Sequence, residues 1–237
     1  MADAPAMLLS IVVPTLNEEG TLPRLLEDLA PLLARGDVEL VVGDGGSTDE
    51  TLTVVQHAGA RLVTTTPGRG AQLRAAITEA RGEYLWILHA DVRVPAATRD
   101  GFAQLATDRV RYPCACRLVI DDASWSLRVI AAGANLRSRW LSLPYGDQGL
   151  LISRAQLDAV GGYEDIPLME DVALALRLRR VSPIRLLREL PVRVSARRWQ
   201  RDGPWRRSAR NLVLLARYLA GADPRGLARA YRATVTS

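Results

Sequence analysis

The sequence predicts an α/β fold in which a mainly parallel sheet is flanked by helices and followed by a helical C-terminal extension. Three observations carry this. Short apolar runs alternate with segments of helical period from residue 8 to residue 91, the pattern of strands joined by helical crossovers. The runs are apolar almost throughout, as expected of strands covered on both faces. The second run ends in Gly43-Asp44-Gly45-Gly46-Ser47-Thr48-Asp49-Glu50, an acidic, glycine-rich turn that opens a helix. In a parallel sheet, that carboxyl end of a strand is where ligands bind.

Each element follows from the residues. Residues 8–13 form a buried first strand, which Pro14 is expected to stop. Leu22, Leu25, Leu26, Leu29, Leu32 and Leu33 recur on one helical face until Gly36. Residues 38–42 make the second strand. Ser47 and Glu50 are spaced as a capping box for a helix over 48–58, closed by Gly59. A third strand over 61–65 is broken by Pro67-Gly68-Arg69-Gly70, and a helix over 71–81 ends at Gly82. The fourth strand, over 84–88, is wholly apolar and leads into His89-Ala90-Asp91. Further on, helices over 95–107 and 123–141 flank a strand over 114–120. A short strand over 150–153 and a helix precede the turn Gly161-Gly162-Tyr163. A helix over 170–180, strands over 184–187 and 192–194, and amphipathic helices over 208–219 and 225–232 complete the chain.

The chain has 237 residues, 48% of them hydrophobic, enough for a substantial core. All 31 residues of the Lys+Arg count are arginine, and the net charge is +5. That charge is compatible with anionic small molecules or lipids and equally with a solvated arginine-rich surface. No nucleic-acid partner is expected. Cys114 and Cys116 alternate on one strand face and lack the further ligands of a zinc site, so they read as small buried or groove-lining residues in a reducing compartment. The first apolar run reads as a strand, not a secretion signal, and no run approaches the roughly 20 residues that span a bilayer. Residues 211–220 form a mostly apolar stretch flanked or interrupted by Arg206, Arg207, Arg210, Arg217, Arg225, Arg229 and Arg232. Its apolar face is expected to pack on the rest of the protein, with the arginines solvated. The expected location is cytoplasmic, with weak peripheral contact with the inner membrane the one membrane role left open.

Three acidic positions follow apolar or turn segments where a sheet would present them at one edge: Asp44, Asp91 and the pair Glu170-Asp171. Asp91 ends a strand too apolar to be exposed, so its carboxylate must face solvent, a metal or a donor. Oxygen ligands on a hard divalent cation fit, with substrate phosphates completing the shell. Glu170-Asp171 opens a helix, where the dipole favours carboxylates, and plain capping is the alternative there. The glycines beside Asp44 let a ligand lie close to the backbone.

These segments together resemble a family. Ser10-Ile-Val-Val-Pro-Thr-Leu-Asn-Glu18, Val42-Gly-Asp-Gly-Gly-Ser-Thr-Asp49, Gly68-Arg-Gly-Ala-Gln72, Leu88-His-Ala-Asp91 and Met169-Glu-Asp171 occur in the order seen in family 2 glycosyltransferases of the GT-A (nucleotide-diphospho-sugar transferase) fold. Gly146-Asp-Gln-Gly149, Ile166-Pro-Leu-Met-Glu-Asp171 and Ala196-Arg-Arg-Trp199 are similar to a small bacterial subgroup, the radical-SAM/selenodomain-associated transferases 2. That subgroup is often described as arsenosugar-biosynthesis glycosyltransferases.

The resemblance implies a metal-dependent, inverting transfer of a sugar from a nucleotide-diphosphate sugar, a UDP-sugar by preference, to an acceptor hydroxyl. Residues 1–200 would form the transferase domain and 201–237 the extension. Pro14, Thr15, Asn17 and Glu18 would shape the nucleotide pocket, Asp44 would hold the uracil or ribose, and Arg69, Gly70 and Gln72 would lie beside the donor. Asp91 would bind Mn²⁺ or Mg²⁺. Asp171 would be the catalytic base, beside Glu170. Asp147, Gln148, Arg198 and Trp199 would lie on the acceptor side. Two departures matter. His89 replaces the first acid of the family's Asp-x-Asp motif, and it could ligate Mn²⁺, bind a diphosphate oxygen or pack. Ser195 replaces the Gln of the Gln-x-x-Arg-Trp motif, which argues against processive synthesis. A nucleotidyltransferase or a non-catalytic nucleotide-sugar-binding module are the rival readings. A nucleotidyltransferase would carry a glycine-rich, lysine-bearing loop after the first strand, and Thr15-Leu16-Asn17-Glu18 is not one. A dinucleotide-binding oxidoreductase fails on the absent G-x-G-x-x-G spacing. The sequence names neither the acceptor nor the oligomeric state.

Overall fold

A computed structural model describes residues 7–233. The predicted domain bounds 1–200 and 201–237 include residues 1–6 and 234–237, which lie outside the described residues, as does the side chain of Arg232. Eight strands form one mixed sheet: β1 (Leu9–Thr15), β2 (Val38–Asp44), β3 (Arg61–Thr64), β4 (Tyr84–Ile87), β5 (Val92–Arg93), β6 (Cys114–Asp121), β7 (Leu150–Ser153) and β8 (Arg185–Ser195). Their order across the sheet is β3-β2-β1-β4-β7-β6-β8-β5. The first four strands are mutually parallel. β7 runs against β4 and β6, and β5 runs against β8.

Because side chains alternate along a strand, each central strand feeds two cores. Ile11, Val13, Tyr84, Trp86 and Leu88 point to one face, beneath α1 (Leu22–Leu33), α4 (Ala96–Thr107) and α5 (Trp125–Leu141). Trp86 stacks there on Phe102 with ring centroids 4.7 Å apart. Val12, Leu85 and Ile87 point to the other, beneath α3 (Arg69–Glu79), α6 (Arg154–Ala159) and α7 (Glu170–Val181). Each buried leucine of α1 contributes about 1.5–3 kcal/mol by leaving water. Cys114 and Cys116 are free and buried, and burial pushes the Cys114 thiol up to about 12, so neither is a reactive thiolate.

Three local expectations are corrected. Pro14 lies inside β1, paired with Gly43, and does not stop it. Val12 carbonyl accepts from Leu88 N–H, and pairing with β4 ends there. The nitrogen of Pro14 faces that same side, where no ladder bond is lost. The second helix, α2 (Thr51–His57), begins at 51, and its N-cap Glu50 makes no side-chain cap. Ser47 is engaged elsewhere, so the capping box does not form. The two late strands are one, β8, irregular opposite Cys116 and Arg117. A short helix, α8 (Arg197–Asp202), spans the predicted boundary at residue 200.

Two helices follow it, α9 (Pro204–Leu219) and α10 (Pro224–Ala233). Leu214, Leu215 and Leu227 bury themselves against Met169 and Val172 of the α7 start. The apolar face of this stretch is expected to pack on the rest of the protein, with every arginine solvated. Instead Leu212, Val213 and Leu219 are exposed and Arg207 is buried. Arg207 pairs there with the Asp202 carboxylate at 2.7 Å. No helix of the described residues is long and apolar enough to cross a membrane.

α3 lies so close to β2 that a methyl group on Gly43 would strike the Gln72 backbone carbonyl. Backbone cannot retreat as a flexible side chain can. Gly43→Ala is expected to lower unfolding free energy by about 1–3 kcal/mol in denaturant titration, the usual cost of overpacking.

Candidate active site

The ends of β1 and β2 are tied together residue by residue. Asp44 is fully buried, and its carboxylate accepts four hydrogen bonds. Thr15 Oγ1 donates to Oδ1 at 3.0 Å and Ser47 Oγ donates to the same oxygen at 2.5 Å. The N–H groups of Gly46 and Ser47 donate to Oδ2, each at 2.8 Å. Burial alone would raise this carboxyl, but the donors outweigh it and hold it below the usual aspartate range. With about four acceptor positions on a carboxylate, Asp44 is committed to its own loop.

Asn17 takes a left-handed conformation (φ 56) that Asn tolerates well. Its N–H donates to Ser47 Oγ at 2.9 Å, and its Oδ1 accepts from Thr48 N–H at 2.8 Å. Glu18 N–H donates to Thr51 Oγ1 at 2.8 Å, and burial pushes the Glu18 carboxyl up against the opposing hydrogen bond from Thr21. The predicted nucleotide residues therefore form one interlocked ledge.

The glycines serve packing and not only ligand approach. Gln72 is buried, and its amide Nε2 donates to the Thr15 carbonyl. A methyl group on Gly45 would come within 2.7 Å of that same Nε2, and one on Gly70 within 2.5 Å of the Ile166 carbonyl. A side chain on Gly45 would press on the Gln72 amide, while the Gly70 contact is with backbone, so that glycine is needed for α3 to sit where it does. Its first residue, Arg69, then reaches Glu170 at 3.3 Å and His89 Nε2 at 3.5 Å. Enclosure in the cleft opposes charge on Arg69, but Glu170 and Asp171 overcome it and raise its affinity for the proton. Glu170 is buried, and desolvation raises its carboxyl against the pull of Arg69. Met169, just before it, has φ 67. That left-handed turn stores of order 1–3 kcal/mol of strain, and such strain collects at functional sites.

In the same first turn of α7, Asp171 Oδ2 accepts from Gly146 N–H at 2.7 Å, and its Oδ1 accepts from Val172 N–H at 2.7 Å. A side chain on Gly146 would collide with the His89 ring. Burial and then Arg69 push His89 down to about 4, so its imidazole is neutral at physiological pH. Asp91 pairs with Arg198 at 3.0 Å. Asp147 lines the cleft with a buried Oδ1 that has no hydrogen-bond partner, and burial pushes its carboxyl up to about 6, against Arg137.

Two acceptor-side expectations end differently. Gln148 is fully buried, its Oε1 accepting from Ser138 Oγ at 2.5 Å and its Nε2 donating to the Cys116 carbonyl at 3.2 Å, so it braces α5 against β6. Trp199 packs against the core under Arg207, which is 5.5 Å from its ring. Tyr145, which opens the segment where the acceptor groove is expected, lines the cleft and is capped by Arg137 at 3.5 Å, whereas sequence reasoning missed the extension residues Arg207, Asn211, Leu214 and Tyr231, which line it too. Nothing local in the sequence marks them, because helix packing brings them there. The cleft they complete encloses about 130 Å³.

Residues 10–149 match Glycosyl transferase family 2, more than half of the chain, and the chain belongs to that family. Over 37% of its length it is 32% identical to glucosyl-3-phosphoglycerate synthase of Mycolicibacterium paratuberculosis, matching 29% of that protein. Over 36% it is 39% identical to the PGL/p-HBAD biosynthesis glycosyltransferase of Mycobacterium bovis, matching 36% of it. The match thus spans about a third of these curated relatives. Among solved structures, S. aureus TarS 1-349 in complex with UDP superposes with a TM-score of 0.63 at 20% identity, covering 79% of this chain and 60% of that one. Glucosyl-3-phosphoglycerate synthase from Mycobacterium tuberculosis with Mn²⁺ and UDP-glucose gives 0.57 at 19%, covering 79% and 69%. At such identities the likeness is one of fold, and the fold is the GT-A fold that the motifs imply.

Asp147 offers a measurable sign. Its folded-state value of about 6 exceeds the roughly 3.9 of a free aspartate. The folded protein therefore holds this proton more tightly, and wild type loses the associated stability as pH rises from about 4 to about 6. Asp147→Asn does not titrate there. The melting temperature of the variant minus that of wild type is expected to rise across that window and then level off. A flat difference would refute the assignment.

Proposed function

We propose that this protein transfers a sugar from a nucleotide-diphosphate sugar, with UDP the preferred nucleotide, to an acceptor hydroxyl, inverting the anomeric carbon with the help of a divalent metal ion. The observation that carries this reading is the cleft at the strand ends, where guanidinium groups of Arg69 and Arg198 face the carboxylates of Asp91, Asp147, Glu170 and Asp171. The complexes of the solved relatives with UDP, and with Mn²⁺ and UDP-glucose, support it.

A cleft of about 130 Å³ is too small for a whole nucleotide sugar, given pockets of roughly 300–1,000 Å³ for such ligands. The nucleotide would lie on the open ledge of Pro14, Thr15, Asn17, Glu18 and the Asp44 loop, with only its diphosphate and sugar reaching inward. Asp44 would act through the loop it orders. Gln72 and Gly70 would act by holding α3, and hence Arg69, in place.

Among the described residues no cluster of three or more metal-donor side chains is found, so the protein's share of a metal shell is small. His89 and Asp91 fit that share: one neutral imidazole and one carboxylate, with diphosphate oxygens and water supplying the rest. Bound there, Mn²⁺ or Mg²⁺ would offset charge on the leaving diphosphate. Arg69 and Arg198 would stabilise the same charge as the bond between the anomeric carbon and the phosphate oxygen breaks. The acceptor oxygen attacks from the opposite face and passes its proton to Asp171. Each Asp171 oxygen accepts only one backbone N–H, which leaves a lone pair for that proton. Asp147, with its unpartnered oxygen, would orient the acceptor hydroxyl. The motif similarity to the transferase 2 subgroup fits this reading and names no acceptor.

UDP release from a panel of UDP-sugars, with and without Mn²⁺, tests the activity itself, and no release from any of them would count against it. Asp171→Asn should keep donor binding and lose about two to four orders of magnitude in transfer, the span of general-base catalysis. Near-normal turnover would remove Asp171 from the role. Asp91→Ala should abolish the Mn²⁺-dependent part of UDP binding by calorimetry. His89→Ala with unchanged Mn²⁺ affinity would make the histidine a packing residue and leave Asp91 the single protein ligand.

A further inference from the structure

Away from the cleft, the two helices that pack side by side, α5 and α9, turn apolar stripes to solvent. On α5 these are Trp125, Val129, Leu136 and Trp140, with the tryptophans 69% and 72% exposed. On α9 they are Trp205, Leu212, Val213 and Leu219. The Trp125 and Trp205 rings meet at 5.5 Å, so the stripes join into one surface. A helix on a protein core normally hides its apolar side. Here α9 does so only through Leu214 and Leu215, while Arg207 and Asn211 face the cleft. A joined apolar face of this kind marks an interaction site.

Charge selects the occupant. Neither helix contains an acidic residue. Arg128, Arg139, Arg206 and Arg217 are exposed around the apolar stripes, and none is in an ion pair among the described residues. A second copy docked face to face would bring arginine against arginine, a like-charge juxtaposition that disfavours that partner. Helices with aromatic and aliphatic residues on one side and only arginine as charge bind the interfacial region of anionic bilayers, where tryptophan and snorkelling arginine are both satisfied. We propose that the α5–α9 face docks this protein on an anionic lipid bilayer.

The test uses the full chain and vesicles of phosphatidylcholine with or without phosphatidylglycerol. Sedimentation with the anionic vesicles is expected, together with a blue shift of tryptophan fluorescence and loss of binding at high salt. Trp125→Ser with Trp140→Ser, and separately Arg128→Gln with Arg139→Gln and Arg217→Gln, should each weaken vesicle binding by about tenfold or more. These positions are exposed, and circular dichroism and melting temperature confirm that each variant folds. Absence of wild-type binding to anionic vesicles would overturn the proposal, as would binding that both variants retain. So would a concentration-dependent dimer that the tryptophan variant abolishes, since it would assign the face to a second copy.

Discussion

Helix α3 is pressed against the ends of β1 and β2 with no room for one extra methyl group, and much of the site depends on that contact. Gln72 closes it by donating to the Thr15 carbonyl, and Gly43 and Gly45 permit it by having no side chain. The same contact fixes the start of α3, so Arg69 emerges between Glu170 and His89. Gly70 lets the 164–166 loop close on that first turn, and the loop leads directly into the Glu170-Asp171 pair. Glycine acts here mainly in helix–sheet packing, and its effect on the cleft follows from that packing.

The cleft is a balance of unlike charges held at close range. Two guanidinium groups and several carboxylates share a partly desolvated space, where each charge is tolerated because of its neighbours. His89 is the neutral member, kept so by burial and by Arg69. Asp147 is the poorly compensated member, with an enclosed oxygen that no protein group satisfies. Groups left in that state are commonly reserved for a ligand. The left-handed Met169 and the absent side chain of Gly146 bring the two acidic walls together, at a local cost that the surrounding packing sustains.

The C-terminal helices connect this site to the surface. α9 gives Arg207, Asn211 and Leu214 to the cleft and apolar residues to solvent. One helix, roughly 10–12 Å across with its side chains, thus separates the proposed chemistry from the proposed lipid face. Leu214 and Leu215 anchor it on Met169 and Val172, beside the candidate base.

Local pattern determined a large part of this protein. Strand-to-helix alternation through residue 91 gave the parallel half of the sheet, because periodicity and turn residues act over a few positions. The strand ends placed Asp44 and Asp91 at the carboxyl edge of the parallel strands, while Glu170 and Asp171 open α7 and come near that edge only through packing. Tertiary structure decided the rest. Pro14 could continue β1 only because the neighbouring strand stops short there. Ser47 abandoned the helix cap for Asp44 in its own turn and for Asn17 on the adjoining loop. Gln148 went to the core and not to the cleft, because Ser138 and the Cys116 carbonyl satisfy its amide. Arg207 turned inward, where it pairs with Asp202 across the α8–α9 junction. In each case hydrophobic period or residue type admitted two answers. For Pro14 and Gln148 the choice fell to contacts between segments far apart in sequence, whereas Asp44 stands three residues from Ser47 and Asp202 five from Arg207, so there the packing decided which of several nearby partners is met.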